Sequence, residues 1–198
     1  MKSVLISTRP KLVEKICHKI GEDETGKAIY EKRIEVRNTA PQEVPFKCYI
    51  YETKGQYVKF THGAHTKYGY GRGKVIGEFI CDKVEMVNAK CSDYGIDLFY
   101  HDCLTNGCLT EREIEKYFNV PEDRDLRAMK GNGYVWNISD LKIYDKPKEL
   151  SEFRKPCDRF LDCCTCRRLV RNEYMSCDNK INRPPLSWCY VEELGEEE

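Results

Sequence analysis

No charge of one sign prevails in this sequence: 33 Lys and Arg stand against 33 Asp and Glu in 198 residues, for a formal net charge of zero. A chain without a global field is not drawn bodily onto nucleic acid, so any polyanion contact has to come from a local patch. No apolar run approaches the roughly 20 residues that a bilayer-spanning helix needs. The stretch Met1 to Lys11 has an apolar segment too short for a signal-peptide core, with no small-residue cleavage site after it. The expectation is a cytoplasmic protein with no membrane partner. Also missing are a P-loop, a G-x-G-x-x-G turn after a strand and a G-x-S-x-G elbow. Their absence removes the commonest nucleotide-hydrolase, dinucleotide and serine-hydrolase readings. There is no internal repeat.

What the chain does have is cysteine, 12 in all. In a reducing compartment these read as buried thiols or metal ligands rather than disulfides. The densest group runs from Cys157 to Cys177, with Cys163 and Cys166 as a C-x-x-C pair. Cys157, Cys163, Cys166 and Cys177 make a candidate structural zinc site, since four thiolates order a segment with little core of its own. Cys164 competes as a ligand, and free thiols are the alternative. Cys103 and Cys108, with His101, form a weaker second candidate. Hydrophobic residues make up 40%, enough for one core. The organisation expected is a single domain over 1–198, with a Cys-rich insert at 155–182 before a last strand at 187–193. The acids from Glu192 to Glu198 read as a solvated, frayed tail.

Val4 to Ser7 reads as a first strand, and Pro10 sits where a helix starts. Leu12, Val13, Ile16 and Ile20 fall on one helical face, and Gly21 ends it. Lys32 to Arg37 alternates strictly, placing Ile34 and Val36 on one face and Arg33, Glu35 and Arg37 on the other. On this pattern Lys32 falls on the apolar side. Phe46 to Thr53, Lys74 to Val87, Tyr134 to Tyr144 and Trp188 to Glu192 read as further strands, Gly77 marking a bulge or a close backbone approach. Thr110 and Glu113 form a capping box for a second helix, with Leu109 and Ile114 as a staple. The sum is α+β with a mainly antiparallel sheet, closed or nearly closed into a small barrel.

Two constellations carry chemistry. Glu35 between Arg33 and Arg37 stays ionised and offers a base-edge acceptor, while Arg supplies bidentate donors. The same residues would serve equally as an ion-pair ladder in a barrel wall. Gly55 to Gly73 reads as an exposed hairpin loop. Lys54, Tyr57, Lys59, His62, His65, Lys67, Tyr68, Tyr70 and Arg72 interleave cations with aromatics there, which suits unpaired bases; the alternative is a polar loop.

The Pro-led helix Arg9-Pro10-Lys11-Leu12 followed by Lys32-Arg33-Ile34-Glu35-Val36-Arg37 resembles the signature of the ASCH family (activating signal cointegrator homology). Gly73 to Phe79, Leu109-Thr110 and Trp136 to Leu141 match in order, and Arg183 to Tyr190 resembles a phage and prophage group. The resemblance implies a PUA-like β-barrel whose cleft has been linked to RNA. One branch hydrolyses N4-acetylcytidine with a Lys, a Thr and a Glu. Its Lys corresponds to Lys32, its Thr falls on Glu35, and Glu111 or Glu113 is placed as its Glu. The chain departs from the usual Gly-Lys-Thr with Glu31-Lys32-Arg33. The reading is an RNA- or nucleoside-binding module using Arg9, Lys11, Arg33, Glu35, Arg37, Lys54 and Arg72. The alternatives are a hydrolase of RNA or an acylated nucleoside using Lys32, Glu35 and Glu111, and a phage accessory protein that binds a host protein.

Overall fold

A computed structural model describes residues 2–62, 65–88, 93–121, 123, 125–156 and 179–195. In chain order the first elements are β1 (Lys2–Thr8), α1 (Pro10–Cys17), β2 (Lys19–Glu22), β3 (Ala28–Tyr30), β4 (Ile34–Arg37), β5 (Phe46–Glu52), β6 (Gln56–His62) and β7 (His65–Tyr70). There follow β8 (Val75–Cys81), β9 (Val84–Asn88), α2 (Asp93–Thr105), α3 (Glu111–Phe118), β10 (Asn132–Asn137), β11 (Ser139–Lys148) and β12 (Trp188–Val191). The main sheet has the order β11-β8-β5-β1-β12, a second has β4-β10-β9, and β2-β3 and β6-β7 are separate hairpins. Only β1 and β5 pair in parallel; the other described ladders are antiparallel.

β1 and β5 are central strands and almost wholly buried. Trp136, fully buried, joins the two sheets: its ring meets Phe46 edge-on at 5.2 Å and Trp188 at 5.9 Å. A second core lies between the small sheet and the helices, where Ile34, Val36, Phe99, Cys103, Ile114 and Phe118 pack together. α2 supplies Ile96, Phe99 and Cys103 to the interior at helical spacing.

Several expectations are corrected. The barrel is not closed. Asp82-Lys83 and Ile138 are corners at which the chain leaves one sheet for the other, so Lys74 to Val87 and Tyr134 to Tyr144 are each two strands. The corners are tied by Asn137 Nδ2 donating to Asp82 Oδ1 at 2.8 Å. On the opposite side, β4 forms no ladder with β1 or β12. The Arg37 guanidinium spans that seam, donating to Ser7 O at 3.0 Å and to Ser187 O at 3.4 Å. A charged side chain stands where a ladder would have closed the wall.

The first helix stops at Cys17, not Gly21, because Lys19 to Glu22 pairs with Ala28 to Tyr30. Asp23 organises the turn, accepting from Thr25 N, Thr25 Oγ1 and Lys27 N. Ile20 is accordingly exposed. The presumed loop from Gly55 to Gly73 holds the β6-β7 hairpin. The acidic tail is held as far as Leu194: Glu193 pairs with Lys47 at 2.8 Å and Leu194 N donates to Tyr49 Oη at 3.0 Å.

The insert spanning Cys157, Cys163, Cys166 and Cys177 lies outside the described residues, apart from its flanks. These meet, with Arg154 bridged to Lys180 and Lys155 N donating to Asn179 O at 3.0 Å.

Gly77 marks a close approach of two backbones: a Cβ there would stand 2.5 Å from Lys142 O and 3.2 Å from Ile143 Cα. Gly77→Ala therefore pushes β11 off β8. A loss of about 1–3 kcal/mol in urea unfolding is expected, and an unchanged midpoint would contradict this packing.

Candidate functional site

The chain reverses sharply where β1 hands over to α1. Arg9 is the N-cap in extended conformation and Pro10 opens the helix, so Ser7, Thr8 and Arg9 line one lip of a cleft with Leu12 behind them. β4 forms the floor with Glu35, Val36 and Arg37, and Lys32 reaches in beneath. The start of α3 closes the third side through Leu109, Glu113 and Tyr117. The cavity measures ≈ 80 Å³, several times the roughly 10–15 Å³ that one water needs.

Its floor is a buried charge cluster. Lys32, Glu35 and Arg37 are 1%, 4% and 6% exposed. Arg37 Nη2 lies 2.9 Å from Glu35 Oε1, and Lys32 Nζ lies 3.3 Å from Glu35 Oε2. Burial works to raise the Glu35 pKa, but the Lys32 and Arg37 charges outweigh it and hold the carboxyl below its ordinary range. Lys32 Nζ also donates to Ile34 O at 2.5 Å and Gly107 O at 3.1 Å. Its three donor positions thus all face acceptors. Strand alternation does not reach back to Lys32, because β4 begins only at Ile34; the side chain curls under the strand end.

Three buried polar atoms on this cluster have no hydrogen-bond partner: Thr8 Oγ1, Glu35 Oε2 and Arg37 Nε. The Lys32 contact to Glu35 Oε2 is an ion pair without hydrogen-bond geometry. Buried polar atoms in folded proteins are seldom left so.

At the rim, Glu113 closes the capping box through Thr110 N at 2.9 Å and meets Arg9 Nη1 at 2.9 Å. Its burial is outweighed by the Thr110 amide and the Arg9 charge, so its pKa is lowered.

The structure brings Arg9, Lys32, Glu35 and Arg37 together. Lys11 is exposed on α1 near Glu113. Arg33 departs from the expected face: it precedes β4, is exposed, and uses its backbone to bind Asn106 O and Ile138 N. Glu111 is exposed and lines a shallow pocket with Tyr100, Glu115 and Leu126, so Glu113 takes the place in the cleft. Lys54 and Arg72 are exposed at the root of the β6-β7 hairpin, Arg72 Nε standing 3.6 Å from Glu52. Cys103 is buried and its thiol is pushed up to about 12 by burial. Among the described residues no group of three or more His, Cys, Asp or Glu is placed to hold a metal.

Sequence reasoning missed Thr8, the Arg9–Glu113 pair and Tyr117. Thr8 has no motif of its own. Its one cue is its position at a strand end just before a Pro-led helix.

The ASCH protein of Zymomonas mobilis superposes on 97% of this chain and 89% of its own, at a TM-score of 0.52 and 16% identity. The chain has the ASCH fold. A tyrosine-to-phenylalanine variant of that protein matches at a TM-score of 0.51 and 13% identity, over 98% of this chain and 92% of its own. A serine-to-alanine variant matches at 0.52 and 14%, over 97% and 89%. No family model and no curated protein matches the sequence. The α+β, mainly antiparallel architecture is thus that of the ASCH fold. None of the described helices is long and apolar enough to cross a membrane.

Proposed function

We propose that the cleft between the β1–α1 junction, β4 and α3 binds a nucleoside, or one nucleotide of a single-stranded RNA. The observation that supports this most is the buried charged floor of the cleft, with Thr8 on its lip. Thr8 and Arg37 can donate and Glu35 can accept, the functional groups that a heterocycle edge with ring nitrogens and an amino group requires. Leu12, Leu109 and Tyr117 give the apolar and aromatic walls that a base plane needs.

The hydrolase reading is weaker on the same geometry. A general base works best with a pKa near the operating pH, and Glu35 is held lower than a free carboxylate. Lys32 Nζ is buried and turned to the Ile34 and Gly107 carbonyls, which holds it away from an attacking position. The hydroxyl of Thr8, which lines the cleft, has no hydrogen-bond partner.

Titration of labelled single-stranded RNA into wild type and Arg37→Ala tests the proposal, with circular dichroism to confirm that the variant folds. Binding by wild type is expected, weakened about tenfold or more in the variant, as loss of a charged hydrogen-bonding partner implies. Equal affinity in a folded Arg37→Ala protein would contradict it.

A further inference from the structure

We infer that the β6-β7 hairpin is a stacking arm that carries a single-stranded RNA onward from the cleft; the inference rests on the cleft being the nucleotide site.

Between Glu52 and Glu78 the sequence holds no acidic residue, although acids number 33 in 198 overall. The same stretch carries Lys54, Lys59, Lys67, Arg72 and Lys74. Lys59, Arg72 and Lys74 pair with Glu14, Glu52 and Glu149 of neighbouring elements, and such pairs of solvent-exposed cations are weak enough to exchange for phosphate.

The hairpin's two faces differ. Tyr57 pairs across with Gly69, whose missing Cβ makes room for the ring; a Cβ at Gly69 would stand 2.5 Å from Tyr57 Cζ. On this side Lys59 reaches Glu14 of α1 at 3.5 Å, so it faces the helix. Strand alternation turns Val58, Tyr68 and Tyr70 the other way, where they are 49%, 49% and 71% exposed. Two tyrosines two residues apart on one strand face stand roughly 7 Å apart. That matches successive bases splayed along an extended strand, and stacking on aromatics is the sequence-tolerant way to hold them.

The hairpin is rooted at the cleft. Thr53 N donates to Thr8 O at 3.0 Å, and a Cβ at Gly71 would stand 2.5 Å from Pro10 Cγ. Thr8 and Arg9 are cleft residues, so a strand leaving the cleft over this lip meets the arm directly. The exposed cations that flank it, Lys54, Lys67 and Arg72, favour RNA over a protein partner for this face.

The test is fluorescence anisotropy with a labelled eight-nucleotide single-stranded oligouridylate. The proteins are wild type, the double variant Tyr68→Ala/Tyr70→Ala, the double variant Tyr68→Phe/Tyr70→Phe, and Glu35→Gln. Expected is a loss of about tenfold or more in the alanine pair, with affinity kept in the phenylalanine pair because stacking needs the ring and not the hydroxyl. Wild-type affinity in the alanine pair overturns the arm, and if Glu35→Gln is weakened in the same series the cleft reading stands without it. A loss confined to the tyrosine variants, with Glu35→Gln binding like wild type, overturns the cleft reading and with it the arm as a continuation of the cleft, leaving the hairpin as a site of its own. No binding by wild type overturns both and returns this face to a protein partner.

Discussion

Replacing Glu35 by alanine lowers the unfolding free energy by about 3–5 kcal/mol, the range for removing one partner of a buried charge pair. The reason is geometric. Lys32 and Arg37 stay buried beneath the cleft, and their shared counter-ion disappears from 2.9 Å and 3.3 Å. Water reaches neither group readily, at 1% and 6% exposure. Urea unfolding measures the change, and a loss under about 1 kcal/mol would mean the cluster behaves as a solvated surface pair. The pH dependence follows from the same site. Glu35 has a folded pKa lowered from its ordinary value, so its stabilisation is fully present above the unfolded value of about 4.3. It is lost as pH falls through the lower folded value. Wild-type stability should therefore fall more steeply with acid below about pH 4.3 than that of Glu35→Gln.

Thr8→Val separates stability from binding. The Thr8 hydroxyl is buried, 2% exposed, and has no partner in the protein. A methyl of similar shape removes an unsatisfied group, so the folded state should gain about 1 kcal/mol or be unchanged. If the hydroxyl is kept for a ligand, RNA affinity should drop about tenfold in the same variant. A variant that is more stable and binds worse is the signature of a functional polar group. Reduced stability would show that Thr8 has a structural partner instead, and unchanged affinity would remove it from the site.

The parts of this molecule that were legible in the sequence are those determined by neighbours along the chain. Pro10 announces a helix start and Thr110 with Glu113 announces another, because a cap needs only residues within one turn. Glu35 and Arg37 were paired correctly because residues two apart share a strand face. What was not legible depends on distant segments. The corners at Asp82-Lys83 and Ile138 lie within stretches that continue as strand on both sides, and only the pairing of each arm with a different sheet reveals them. Ile20 fits the helical period, yet hairpin bonds to a strand ten residues on take Lys19 to Glu22 out of the helix. Lys32 was placed by an alternation extended two residues too far. Thr8 and Glu113 meet across a cleft between segments a hundred residues apart, which periodicity cannot show.

The measurement that tests the central claim most directly is where RNA touches the chain. Ultraviolet crosslinking of a labelled single-stranded RNA, followed by mass spectrometry of the attached peptides, gives that location. The account predicts attachment at Tyr117 and within the segment from Ser7 to Leu12, the aromatic wall and the lip of the cleft. Efficient crosslinking confined to other segments, leaving both of these unmodified, would contradict it.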